Sequence, residues 1–144
     1  QAQRSIDLNP GRANPALGIA LLNLGKYDQS VQSLNKVIRL DPKGPAFYFH
    51  FLGHAYFGLE MYEKAIVAYK KALDREPDFL FAHAFLAAAY SMVGQEEKAR
   101  MEAAEVHRID PKFTVDEFAK SLHFKDQEFQ ERVIESMRKA NLPD

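Results

Sequence analysis

An acidic residue or its amide followed by proline returns along this chain at a near-constant interval, as Asn9-Pro10, Asp41-Pro42, Glu76-Pro77 and Asp110-Pro111. Aligning the chain on these prolines brings further columns into register. Leu17, Leu52 and Leu86 fall 35 and 34 residues apart, and so do Gly18, Gly53 and Ala87. The same offsets relate Leu21, Tyr56 and Tyr90; Ser30, Ala65 and Ala99; Leu34, Tyr69 and Ala103; and Val37, Ala72 and Val106. A period of this length marks a repeat architecture, in which each unit is one supersecondary element stacked on its neighbours. No other feature narrows the folds open to this chain as much.

Inside a unit the marked positions fall at helical spacing, as in Leu52, Tyr56 and Leu59, then Ala65, Tyr69 and Ala72. Gly53 and Ala65 are small where two helices cross closely, and Leu52 and Tyr69 are large where gaps must be filled. Gly25 and Gly94 stand between the halves of their units, where a first helix ends and the chain turns. Each proline stops a second helix, because it lacks a donor and restricts the residue before it. Each unit therefore reads as a helical hairpin. One hairpin cannot cover its own apolar face, so neighbours must stack.

Composition sets the outer bounds. The chain has 144 residues, enough to bury a core without metals or cross-links, and it has no cysteine for a disulfide, a thiol nucleophile or a thiolate metal site. Nineteen basic and 20 acidic side chains leave a formal charge of −1, which argues against nucleic acid or an anionic membrane surface as partner. No apolar run is long enough to span a bilayer.

These residues resemble the tetratricopeptide repeat (TPR). The best match, 46–79, carries Leu52-Gly53, Tyr56, Tyr62, Ala65, Tyr69, Ala72 and Pro77 in the family's places, and 80–113 follows closely with Ala87 for Gly. The unit at 11–44 is weaker, with Ser30 for the usual Ala. Only 15 residues separate Pro10 from Gly25, against 17 between Pro77 and Gly94, so the first helix of that unit is expected to be short or irregular. Residues 1–10 read as the end of a preceding repeat helix, and with Gln1 rather than Met at the start an upstream extension is expected. The resemblance implies an all-α, right-handed α-solenoid of three hairpins spanning 11–44, 45–79 and 80–113, followed by C-terminal capping helices over 114–144.

After Pro111 the period stops. Thr114-Val-Asp-Glu117 reads as a capping box opening a short helix. Asp126 reads as the cap of another, with Phe129, Val133, Ile134 and Met137 on one stripe, and the pair is expected to cover the exposed face of the last repeat. The stretch from Phe113 to Asp144, with Phe124-Lys125-Asp126 and Arg138 to Pro143, also resembles the tail on TPR regions of some bacterial class III adenylate or guanylate cyclases. That likeness implies a cytoplasmic bacterial signalling protein whose catalytic domain lies upstream.

Candidate chemistry is sparse. His50 and His54 stand four apart and project to one side of a helix, a spacing that suits two metal ligands, but no third ligand and no metalloprotease glutamate accompany them. Lining the inner surface of the solenoid outweighs metal binding. His83 reads as packing at a helix crossing. Paired carboxylates such as Glu96-Glu97 and Asp116-Glu117 sit at helix starts, where they complement the dipole. No phosphate loop or nucleophile elbow occurs. The fragment is thus expected to be non-catalytic, with no cofactor.

In TPR proteins the first helix of each hairpin lines a concave groove. The positions that fall there are Phe47, His50, Phe51, His54 and Phe57 in the second unit, and Phe81 and Phe85 in the third. Some chaperone-binding relatives hold a peptide carboxylate with Lys, Asn and Arg at places matching Phe47, Phe51, Phe81 and Phe85, so no such clamp is expected here. An aromatic, uncharged groove suits an apolar helix or extended segment, for binding or oligomerisation, and left open it is a large apolar patch. Three occupants stay open: a separate protein or peptide, a second copy, or the chain's own tail through Phe113, Phe118, Leu122, Phe124 and Phe129.

Overall fold

The computed structural model describes residues 13–144; the expected helix end at 1–10 lies outside the described residues. Among the described residues there are eight helices and no strand. They pair as α1 (Ala16–Asn23) with α2 (Tyr27–Leu40), α3 (Ala46–Gly58) with α4 (Tyr62–Arg75), and α5 (Leu80–Met92) with α6 (Glu96–Ile109). Two more follow, α7 (Val115–Lys120) and α8 (Gln127–Lys139). Each hairpin packs on itself, and α2 on α3 and α4 on α5 carry the stack forward, which makes an α-solenoid.

The columns explain the packing. A Cβ on Gly53 would stand 2.5 Å from the Tyr69 ring, and one on Gly18 would stand 2.6 Å from Leu34, so glycine in the first helix makes room for the large residue of the second. Ser30, buried where the other units have alanine, donates its hydroxyl to the Gly18 carbonyl at 2.7 Å and leaves no stranded polar atom. The first helices α3 and α5 carry no charged residue at all, because they are enclosed by neighbours on several sides. The second helices α2, α4 and α6 bury one stripe and end just before Asp41, Glu76 and Asp110. Helix α1 has 8 residues where α3 and α5 have 13.

The turn inside each hairpin needs a left-handed residue. Gly25 (φ +80) and Gly94 (φ +78) supply it, and Glu60 (φ +60) takes the same place in the middle unit. Nothing lies within 4 Å of where a Cβ on Gly94 would be, so the cost of adding one is conformational only. Gly94→Ala is expected to lower stability by about 1 kcal/mol, read from the urea midpoint at unchanged m-value.

Thr114 Oγ1 accepts from the Glu117 amide (3.1 Å) and Asp126 Oδ1 from the Phe129 amide (3.2 Å), so both C-terminal helices are capped. The Glu117 carboxylate turns to Lys120 instead of closing the box on Thr114. These helices pack on the last repeat from its inner side and also reach past it. Helix α8 packs along α5 and runs back to the first two hairpins. The Lys125 amide donates to the Asn23 carbonyl (3.1 Å), the Tyr27 hydroxyl to Asp126 (2.9 Å), and Arg132 to the Gly58 carbonyl (3.3 Å). The reason is complementarity. The outer side of α6 is charged and exposed, with Glu97 and Arg100 among its residues, while the stripe Phe129, Val133 and Met137 needs full burial and finds apolar partners only on the inner side.

Candidate functional site

Successive residues of an α-helix are about 100° apart. On α3 that places Phe47, Phe51 and His54 on one side and Phe49, Leu52 and Tyr56 on the opposite side. The first side faces α5 and the loop that leads into α8; the second faces α2 and α4. The seven residues expected to line the groove divide into two groups.

Four are enclosed: His50, His54, Phe57 and Phe85 are buried. Phe57 is sandwiched between Tyr62 (5.0 Å between centroids) and Phe129 of α8 (5.9 Å). Phe85 lies against His54 (4.0 Å), Tyr69 (5.9 Å) and Phe118 of α7 (5.8 Å). The other three are accessible. Phe47 is 38% exposed and Phe81 43%, and Phe51 is half-buried between Phe47 and His54. The inner face is therefore covered at the C-terminal end of α3 and open at its N-terminal end.

What covers it is the segment after Pro111. Phe118 stacks at 5.5 Å on Phe81, Phe113 lies 5.8 Å from Phe118, Phe124 approaches His54 at 6.2 Å, and Phe129 reaches Tyr27 at 5.5 Å. Leu122 packs on the same cluster. Tyr27, Phe79 and Asp126 belong to this arrangement too. The spacing named Asp126 only as a helix cap and did not single out Tyr27 or Phe79, although Phe57, buried at the end of its first helix, is the residue of α3 that meets Phe129 of α8.

The two histidines form a polar pair inside an aromatic box. Their rings are 4.2 Å apart, with Tyr69, Phe79 and Phe85 around them. His54 Nδ1 shares a hydrogen bond with the Tyr69 hydroxyl at 2.8 Å. His50 Nδ1 has no protein partner. Burial pushes His50 down to about 3, and burial together with the neighbouring His50 holds His54 well below the ordinary imidazole range, so both are neutral. Among the described residues, no cluster of three or more His, Asp or Glu is placed to hold a metal ion.

His83 is the contrary case. Its Nδ1 meets Glu102 at 2.6 Å and its Nε2 the Pro77 carbonyl at 2.7 Å, so it ties α5 to α6 and to the loop before α5. Burial opposes its charge, but the carboxylate and the carbonyl prevail and raise it above the usual value.

Among the described residues, no helix is long and apolar enough to cross a membrane. A tetratricopeptide repeat family matches residues 46–79, and a second TPR repeat model matches residues 18–60. No curated protein matches the chain. Among solved structures it is similar to a crystal structure of MamA, with a TM-score of 0.70 and 22% identity over 96% of this chain and 82% of that one. It is also similar to "MamA 41-end from Desulfovibrio magneticus RS-1", with a TM-score of 0.66 and 24% identity over 89% and 72% of the two chains. Such a likeness shows the fold. The resemblance of the tail to cyclase-associated regions has no counterpart in these matches.

Proposed function

Because this chain is a tetratricopeptide repeat protein, and so a protein–protein interaction module, we propose that it binds an apolar helix of a separate protein on the inner strip formed by Phe47, Phe51 and Phe81. The single observation that carries this reading is that Phe47 and Phe81 stand exposed on a face whose other rings, His54, Phe57 and Phe85, are covered by the chain's own segment after Pro111. The open strip continues directly into that covered interface through the stacking of Phe81 on Phe118. A ligand helix laid beside α7 thus extends an apolar surface that already accepts helical segments of this chain.

Helices α3 and α5 supply no Lys, Arg, Asp or Glu, so recognition on this strip rests on apolar contact and is insensitive to salt. The rings are held by the hairpins before the ligand arrives, which limits the entropy lost on docking. His50, His54, Phe57 and Phe85 act as the support of the strip in this reading.

The test is the pair Phe47→Ala and Phe81→Ala, chosen because neither ring is part of the buried core. Burying a Phe contributes about 1.5–3 kcal/mol, so losing two half-exposed anchors is expected to weaken binding of an uncharged, leucine-faced helical peptide at least about tenfold, with circular dichroism and urea midpoint nearly unchanged. Calorimetry showing equal binding by the double variant would remove the strip from consideration. Concentration-dependent self-association lost in the variant would identify a second copy as the occupant.

A further inference from the structure

We propose that the opposite, outer side of the solenoid carries a second docking cleft, between α2 and α4, that accepts an acidic amphipathic helix of a partner protein. The cleft has a volume of about 220 Å³ over α3 and continues into a second depression of about 460 Å³ that shares Ile38, Phe49 and Lys71 with it. Its floor is apolar, made by Ile38, Phe49, Leu52 and Tyr56. Val67, on its α4 wall, is 54% exposed, an unusual place for a β-branched aliphatic residue on a second helix that otherwise buries its apolar stripe.

The rim supplies the charge. Lys64 Nζ stands 5.7 Å from the Tyr56 ring, and the Arg75 guanidinium 5.7 Å from the Phe49 ring while donating to the Pro42 carbonyl at 2.6 Å. Lys71 lies between them on the same wall. Among the described residues none of these three cations has a carboxylate partner within ion-pair distance. Among the described residues Asp74 is the one acid lining the two depressions. Across α2 and α4, six basic residues (Lys36, Arg39, Lys64, Lys70, Lys71, Arg75) face three acids (Asp28, Glu63, Asp74), in a chain whose formal charge is −1.

Lys64, Lys71 and Arg75 are seven and four residues apart, so they follow one side of α4 over roughly 10 Å and a further 6 Å. Carboxylates one and two turns apart on a partner helix reach such a row while its apolar stripe covers Val67 and Ile38. The cleft is open along its outer side, which suits a helix laid across it and not an enclosed chain or ring. It is also independent of the inner strip, because Phe49, Leu52 and Tyr56 leave α3 on the side opposite Phe47 and Phe51.

The experiment uses the full chain and two synthetic helical peptides, each with leucine along one face, one bordered by glutamate and the other by glutamine at the same positions. Fluorescence anisotropy is expected to show the glutamate peptide binding about tenfold tighter, with the advantage shrinking as salt is raised beyond about 0.3 M. Lys64→Glu with Lys71→Glu is expected to abolish that advantage, and Val67→Glu to weaken the glutamate peptide. Phe47→Ala with Phe81→Ala, which removes the inner strip as a second site for any leucine-faced peptide, is expected to keep the glutamate peptide's advantage and its loss on charge reversal, which separates failure of this cleft from failure of the inner strip. Equal affinity for the two peptides, or unchanged affinity after charge reversal, overturns the proposal. So does binding to phosphatidylserine vesicles without binding to the glutamate peptide, since that assigns the cations to a membrane surface.

Discussion

Phe129→Ala is expected to destabilise the chain by about 3–5 kcal/mol, a large share of the roughly 5–15 kcal/mol that holds a typical domain together. The ring is fully buried at the point where α8 meets the first two hairpins. It lies 5.5 Å from Tyr27, 5.9 Å from Phe57 and 4.8 Å from Phe124. Removing it empties a site whose walls belong to three separated parts of the chain, so they cannot collapse together easily. In a plain repeat array, stability adds up between nearest neighbours. Here α8 ties the third hairpin to the first, so the loss is expected to appear in a single cooperative urea transition. A midpoint shifted by less than that of Phe81→Ala, whose ring is only half-buried, would show that α8 does not lie along the inner face.

Acidification is expected to unfold the chain from the inside. His50 binds its proton at about 3 when folded and at about 6.5 when unfolded. A depressed folded value means that the unfolded state takes up the proton first as pH falls. The stability is present above pH 6.5 and is lost progressively below it, by about 1.4 kcal/mol per pH unit. At pH 4.5 His50 alone accounts for about 3 kcal/mol. His54 is depressed in the same direction, by burial first and by His50 second, and adds to the loss. The rings facing the pair are Phe51, Tyr69, Phe79, Phe85 and Phe124, and among the described residues no carboxylate acts on either histidine to stabilise an imidazolium. Tyr69, raised well above its usual value by burial, stays neutral throughout. His83 works with the opposite sign: its folded value is raised, so its contribution is complete below pH 6.5 and is lost as pH rises through that raised value. Urea midpoints measured from pH 7 to pH 4.5 should fall steeply, and His50→Phe should flatten the fall by about half. A flat profile in the parent chain would mean that the histidines are solvated.

The hairpins were legible residue by residue. Leu52-Gly53, Tyr69 and Pro77 predict two helices crossing closely and then stopping, and Tyr69 does pack into the space that Gly53 leaves. The family match falls on the same residues, 46–79. The groove was legible only as a set of angles. Spacing places Phe47, His50, Phe51, His54 and Phe57 around α3, yet it does not say which of them a later segment will cover. Phe85 illustrates the difference: it was expected on an open wall, and it is buried beneath Phe118 and beside Tyr69.

Local order along the chain, the period, the helix starts and stops and the pairing of small with large residues, follows from neighbours close in sequence. Their physics, hydrogen bonding within a turn and contact across one crossing, is complete in a stretch of some thirty-five residues. The path of α8 across the inner face is another matter. It is decided by contacts such as Tyr27 with Asp126, 99 residues apart, and Arg132 with Gly58, 74 apart. Burial of an apolar stripe is non-directional, so the stripe on α8 specifies that it must be covered and not by what. Only the assembled solenoid, with a charged back on α6 and a ring-lined interior, settles that choice and with it which phenylalanines remain in reach of a partner.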